Sequence, residues 1–300
     1  MSQSENKYQE IPVVKPSILK SFLAFTKMRL TFLVVLSAAI CFLIGSDTQV
    51  DWTKFTWLVI GGFLVTGASN GINQIIEKDL DAKMARTKNR PMPTGAISVQ
   101  EGLLLAVSMA SLGIMILYFL MNPLSGILGA LAVLLYTLAY TPFKRISPFC
   151  VFIGAFPGAI PTLLGYVAAT GKIDITGLLL FGIQFIWQFP HFWAIAWVLD
   201  DDYKKAGFKM LPSNSKDKRS AFQILLYTFS LVPFSFLPYV FNCTNWLAPL
   251  GIFISGLIFS YQALNLYKHC KDEDARKLMF GSFIYLPVVQ FSWLIDVLIF

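Results

Sequence analysis

Charge is scarce in this chain. Only 14% of its 300 residues are Asp, Glu, Lys or Arg, against 56% apolar residues and a mean hydropathy of +0.62, a balance that excludes a soluble globule of ordinary composition. Cysteine is sparse too. Cys41, Cys150, Cys243 and Cys270 lie far apart with no CxxC pair, so neither a zinc site nor a disulfide framework is implied. Long polar stretches are missing: the longest, at 77–99 and 199–220, are too short for a soluble domain, and function must be built from helix ends and these loops. No arginine occurs in the first 20 residues, which carry Glu5 and Glu10. That argues against an Arg-rich, acid-poor mitochondrial presequence. Residues 1–21 are expected to form a short cytoplasmic tail before a single domain at 22–300.

Apolar residues gather into runs at about 22–45, 55–76, 102–120, 123–141, 149–169, 175–198, 221–241, 246–267 and 279–299, each near the roughly 20 residues that cross a bilayer. The expected fold class is an all-α polytopic membrane protein with nine transmembrane helices and a cytoplasmic N-terminus. The weakest division is at Asn122-Pro123, where two runs could be one broken segment. Lys and Arg test the count independently, because they concentrate in cytoplasmic loops. With nine helices, every basic residue except Lys54 and Lys172 falls on one side. The net charge of +7 therefore needs no nucleic acid to explain it. Gly154, Pro157, Gly158, Pro161 and Gly165 crowd the fifth run, which reads either as a cavity wall or as a close-packed interface of small residues. The loops at 77–99 and 199–220 follow the second and sixth runs, which point the same way and could be parallel repeats.

The chemistry gathers where the second run ends. Asn73, Glu77 and Asp81 are spaced four apart; at ~100° per residue they drift only ~40° per step, so a helix presents three oxygen ligands in a column. Such a column suits Mg²⁺, which takes one or two carboxylates and leaves its other positions to water and substrate phosphate. Asp79 points elsewhere and reads as a solvated helix-end charge. Arg86, Lys88 and Arg90 follow closely, and Lys144 and Arg145 lie on the next inner loop; a diphosphate leaving group needs such cations as its charge develops. The plainer reading is that these acids and bases pair with one another and obey the positive-inside rule. Asp200, Asp201 and Asp202 precede Tyr203 at the end of the sixth run. Spread over ~200° of helix, at most two of them can serve one site; Asp202 is the first choice and Asp201 the last. Within the sixth run, His191 stands among Trp187, Phe189, Phe192 and Trp193. Its uses would be general base, cation stabiliser or axial ligand to a haem iron, against a histidine simply hydrogen-bonded between helices. The aromatic rings suit a carbocation or a flat macrocycle.

Across nearly its whole length the chain resembles the haem-modifying branch of the UbiA superfamily of intramembrane prenyltransferases. The resemblance is carried by Asn73, Glu77 and Asp81 with the extension Met84 to Pro91, by Tyr140 to Arg145, Gly158 to Tyr166, Trp187 to Phe192, Asp202-Tyr203, Met210-Leu211-Pro212, and Ala275 to Leu278 leading to Ser282 and Tyr285-Leu286-Pro287. Two positions depart from the wider superfamily. Glu77 stands where much of it has Asp, and Val198 stands where many quinone-type members carry the first acid of the second motif.

The resemblance implies transfer of a farnesyl group from farnesyl diphosphate to the 2-vinyl group of haem b, with haem O as product. Asn73, Glu77, Asp81 and Asp202 would hold Mg²⁺ and diphosphate, and Asp81, Asp202 and His191 would be the catalytic set. Arg86, Lys88, Arg90, Lys144 and Arg145, with Tyr203 and either Lys27 or Arg29, would bind the leaving group. His191 would sit near the porphyrin. The setting implied is a bacterial inner or plasma membrane with the active-site loops cytoplasmic. Haem is then a substrate, and haem A synthase or oxidase assembly proteins are left open as partners. Two other readings stay open. A quinone-pathway prenyltransferase acting on 4-hydroxybenzoate or naphthoate shares the first motif but does not call for the Trp187 to His191 run. A cation-coupled transporter would place its acids near the bilayer midplane, whereas these lie at helix ends.

Overall fold

The computed structural model describes residues 17–46 and 49–300; the expected N-terminal tail lies outside them as far as residue 16. Among the described residues nine helices are long and apolar enough to cross a membrane: α1 Met28–Gly45, α2 Trp52–Ile76, α3 Val99–Met121, α4 Pro123–Phe143, α5 Cys150–Thr170, α6 Ile175–Val198, α7 Lys218–Val240, α8 Leu247–His269 and α9 Asp272–Ile299. No strand occurs among the described residues. A short helix, Ile18–Phe25, precedes α1.

Local chemistry sets the helix ends. Ser98 and Glu101 cap α3 reciprocally, satisfying two otherwise unpaired donors. The Asn122 side chain accepts from the Ser125 amide, and Pro123 takes the first helical position, where its missing N–H costs nothing. The Asn122-Pro123 junction is therefore a true boundary between two helices. Asp174 caps α6 and Asp217 caps α7, while Gly171 ends α5 at φ 72°, a left-handed position that favours glycine.

The bundle interior settles the choice left open at 154–166. A Cβ at Gly165 would strike the Ala38 carbonyl of α1, one at Gly158 would strike Gln188 of α6, and one at Gly154 would come within 2.6 Å of the Tyr140 ring of α4. This face is a packed interface, built by letting backbones approach. Pro157 and Pro161 lie inside α5. Beside them the Gln184 and Gln188 amides donate to the Gly158 and Ala155 carbonyls, both at 2.9 Å. Gln290 of α9 extends this polar line to Ser37, at 3.0 Å.

Loops from separate helix pairs meet at one end of the bundle. The Lys209 amide donates to the Lys144 carbonyl at 2.7 Å, joining the segment after α6 to the turn after α4. Trp197 Nε1 and Lys216 Nζ both reach the Asp272 carboxylate, at 3.1 and 3.0 Å, and draw the same segment to the start of α9. α2 and α6, each followed directly by acidic residues, both finish here.

Candidate active site

The second helix opens the site. Asn70, Asn73, Gln74 and Glu77 recur at helical spacing along α2, a polar stripe in an apolar helix, and each has a specific partner. Asn70 donates to the Thr31 hydroxyl at 3.1 Å, and Gln74 donates to the Ala24 and Phe25 carbonyls at 2.9 and 2.8 Å. These bonds fix the bend between the short N-terminal helix and α1. At that bend Lys27 adopts φ 49°, ψ 55°, a left-handed conformation uncommon outside glycine and often found at functional positions. It points Lys27 Nζ at the Asn73 side-chain oxygen, 2.9 Å away.

The Asn73, Glu77, Asp81 column does not ride on one continuous helix. α2 stops at Ile76, Glu77 is its cap at φ −96°, ψ 7°, and a single turn, Lys78–Asp81, follows. The Glu77 and Asp81 amides still reach four residues back, to Asn73 and Glu77 at 3.0 and 2.7 Å, so the three side chains stay on one side. All three are buried, at 1%, 4% and 1% exposure.

Each carboxylate has a cation. Lys144 Nζ donates to both Glu77 oxygens, at 2.9 and 3.2 Å. It also lies 4.7 Å from the centre of the Tyr140 ring and 5.6 Å from that of Phe208, a cation–π cradle. Arg90 donates to Asp81 Oδ2 at 2.8 Å, because the Thr87 hydroxyl bonds the Asp81 carbonyl at 2.7 Å and folds the loop back. Asp81 Oδ1 is buried with no hydrogen-bond partner. Below Lys144, α4 closes with a wide π turn over Leu135–Tyr140, a feature that often marks functional sites. Its Thr141 hydroxyl accepts from the Asn73 amide at 3.2 Å.

The charges do not balance. Lys27, Arg90 and Lys144 face only Glu77 and Asp81. Burial first, then Arg90 and Lys144, push Lys27 down to about 7, outweighing Glu77 and Asp81. Three basic side chains thus meet two carboxylates here, and one carboxylate oxygen, Asp81 Oδ1, lacks a partner. This donor set, with an amide oxygen and two carboxylates, fits a hard divalent cation that completes its shell with water and phosphate oxygens.

Other expected residues are placed differently. Arg86, Lys88, Arg145 and Arg29 lie exposed at the surface. Asp200 is buried and paired with Lys204 at 2.6 Å, Asp201 is exposed, and Asp202 pairs with Lys205 at 3.4 Å. Tyr203 meets Phe208 edge-on at 5.8 Å. No hydrogen bond or ion pair joins Asp202 to the Glu77 and Asp81 pair, and among the described residues no three His, Cys, Asp or Glu side chains converge on a metal position. The second loop reaches the site through Phe208 beneath Lys144. His191 lies deeper along α6, stacked on Trp187 with ring centres 4.4 Å apart, with Nδ1 2.7 Å from the Ser282 hydroxyl. Tyr136, Thr141 and Phe208 border the site with no charge or spacing signal to single them out beforehand. The polar stripe along α2 could have been read from sequence.

Fold and site together define the class: a polytopic membrane protein that gathers paired acids and bases where its helices end. The chain belongs to the UbiA prenyltransferase family, whose pattern matches residues 34–284, and it is a prenyltransferase. It is 48% identical over 285 residues to the protoheme IX farnesyltransferase of Christiangramia forsetii, covering 93% of this chain and 94% of that one. To the protoheme IX farnesyltransferase of Cytophaga hutchinsonii it is 43% identical over 280 residues, covering 92% and 97%. Solved structures share the fold. A digeranylgeranylglyceryl phosphate synthase superposes with a TM-score of 0.80 at 22% identity, over 94% of this chain and 99% of the other. A UbiA homologue from Archaeoglobus fulgidus bound to GPP and Mg²⁺ superposes with a TM-score of 0.71 at 16% identity, over 91% and 99%.

Proposed function

We propose that this protein transfers the farnesyl group of farnesyl diphosphate to a vinyl group of haem b, with water completing the product haem O. The observation that carries the reading is the cluster of half-buried Lys27 and Arg90 and buried Lys144 around the buried Glu77 and Asp81 at the end of an apolar bundle. It suits a substrate with a diphosphate head and a hydrocarbon tail. The acceptor follows from relatives that carry the name protoheme IX farnesyltransferase.

In this reading Asn73, Glu77, Asp81 and Asp202 would hold Mg²⁺ and, through it, the diphosphate. The bound ion supplies charge neutralisation of the leaving diphosphate. Lys27, Arg90 and Lys144 take up the negative charge that grows as the allylic carbon–oxygen bond breaks, in a site where preorganised cations act without water's screening. Arg86, Lys88 and Arg145 attract diphosphate at the mouth, and Tyr203 lines its wall. The vinyl electrons attack the allylic carbon, and water adds to the resulting carbon cation with loss of one proton. His191 borders the porphyrin. Residues 22–300 act as one domain in a bacterial inner or plasma membrane with this end cytoplasmic, the side favoured by the distribution of Lys and Arg. Haem A synthase or oxidase assembly proteins are the natural recipients of so apolar a product.

The test is to incubate the purified protein with haem b, farnesyl diphosphate and Mg²⁺ and follow the haem by mass spectrometry. The expected product has gained one farnesyl group and one water, and its formation stops on chelation of Mg²⁺. Prenylation of 4-hydroxybenzoate with haem left untouched would overturn the acceptor and move the chain to the quinone-pathway branch.

A further inference from the structure

We propose that His191 ligates the iron of the haem acceptor through Nε2, and that Ser282 of α9 is the positioning residue that fixes the imidazole tautomer needed for it. The inference rests on haem being the acceptor, as proposed above.

The tautomer follows from counting hydrogens. A serine hydroxyl carries one, and that of Ser282 is committed to the Met279 carbonyl at 2.6 Å. With that hydrogen on the Met279 carbonyl, the Ser282 oxygen accepts in its 2.7 Å contact with His191 Nδ1, the arrangement in which Nδ1 carries the hydrogen. A neutral imidazole has only one such hydrogen, which leaves Nε2 as a bare lone pair. Nε2 has no hydrogen bond among the described residues, and it is not among the enclosed polar atoms that lack a partner. It is thus open to a ligand from outside the packed core.

The surroundings favour a metal in a flat, apolar ligand over a proton. Trp187 covers one ring face, and Phe192 and Phe283 meet the ring edge-on, with centres 5.3 and 5.2 Å away. Among the described residues the polar partner of His191 is Ser282, and no acid pairs with it. Metal-ligating histidines almost always donate their other N–H to a fixed acceptor, which sets ring orientation and raises the ligand's basicity. Ser282 is well held for that role: it is fully buried, and its carbonyl accepts from Trp187 Nε1 at 3.0 Å. A histidine that served only to join α6 to α9 would have no use for the bare nitrogen.

The experiment titrates haem b, and separately metal-free protoporphyrin IX, into purified full-length wild type, His191→Ala, Ser282→Ala and Ser282→Thr. Absorption and resonance Raman spectra are recorded. Wild type should show an iron–imidazole signature that His191→Ala lacks and added imidazole restores. Ser282→Ala should weaken haem binding about 10–100-fold, as loss of such a support does elsewhere, and shift the iron–nitrogen stretch. Ser282→Thr should recover both. Binding of metal-free protoporphyrin should stay within about twofold throughout, since it has no iron to ligate. Where His191→Ala does not fold, His191→Gln replaces it. If wild type farnesylates haem but His191→Ala has the same spectrum, iron ligation is refuted while the proposed function stands. Equal weakening of both porphyrins in Ser282→Ala would assign Ser282 to packing and refute its role. A wild type that neither binds nor farnesylates haem would remove the functional reading itself.

Discussion

Breaking the Lys144–Glu77 pair is the sharpest perturbation available. Its side chains are only 11% and 5% exposed, and both carboxylate oxygens bond the one ammonium. Lys144→Met keeps the length of the side chain and leaves the Glu77 carboxylate buried without its cation. Loss of one partner of a buried ion pair costs about 3–5 kcal/mol, whereas replacing both with neutral groups of similar size is close to neutral. Lys144→Met should therefore melt roughly 6–20 °C lower in detergent, at ~2–4 °C per kcal/mol for a chain of this order of size. The double variant Lys144→Met/Glu77→Gln should return to within about 1 kcal/mol of wild type. Intrinsic-fluorescence melts at matched scan rates measure all three proteins. A Lys144→Met protein as stable as wild type, or a double variant no better than the single, would refute the electrostatic account of this pair. Neither variant should regain turnover, since each has lost a cation that would face the diphosphate.

Asp81→Ala should fold in detergent yet lose at least about 10²-fold in turnover, the scale seen when one preorganised charge is removed from a transition state; full activity would sink the metal-site reading. Gly165→Ala forces a methyl against the Ala38 carbonyl and should cost at least about 1–3 kcal/mol by overpacking. Gly182→Ala, which meets nothing within 4 Å, should be neutral or stabilising by up to about 1 kcal/mol, and thermal melts of the two compare them directly. Asp217 is held down to about 2 by the Ser220 amide it caps and by the Ser213 and Ser215 hydroxyls. Because its folded value is depressed below the ordinary 3.8, its contribution is complete above about pH 4 and is lost as pH falls towards 2. Asp217→Ala should cost about 1 kcal/mol at neutral pH, as loss of an N-cap does, and should narrow to no difference at the acid end of a pH series of melts.

Much of this molecule could be read in advance because a bilayer leaves few options. Runs of apolar residues become helices when no water can satisfy the backbone, and all nine expected runs have a counterpart among the described residues, although the first starts later than expected, at Met28, and the ninth earlier, at Asp272. The Asn73, Glu77 and Asp81 register survived for a related reason. Backbone bonds four residues apart persist through Glu77 even though the helix breaks there, so spacing still predicted proximity. What spacing could not rank was the basic residues. Arg86, Lys88 and Arg90 look equivalent along the chain, but only Arg90 turns inward, because Thr87 pins the loop to the Asp81 carbonyl. Lys27 depends on a left-handed bend held by Asn70 and Gln74 from another helix, a tertiary contact with no local signature. The crowding of glycine and proline at 154–165 could not by itself separate a cavity from a tight contact, since both demand small residues. Only the Ala38 carbonyl and the Gln188 side chain lying against them settle that choice.

The internal pairing of Glu77 with Lys144 and of Asp81 with Arg90 also bears on how the protein is made. A bundle assembling in lipid has to enclose these carboxylates before any substrate has arrived, and a naked acid at that depth would hold the helix ends apart. With the counter-ions carried on the chain's own loops, the site can close around itself during membrane insertion. In the proposed reaction the diphosphate would then have only to take over cations already in place, so biogenesis and substrate supply need not coincide.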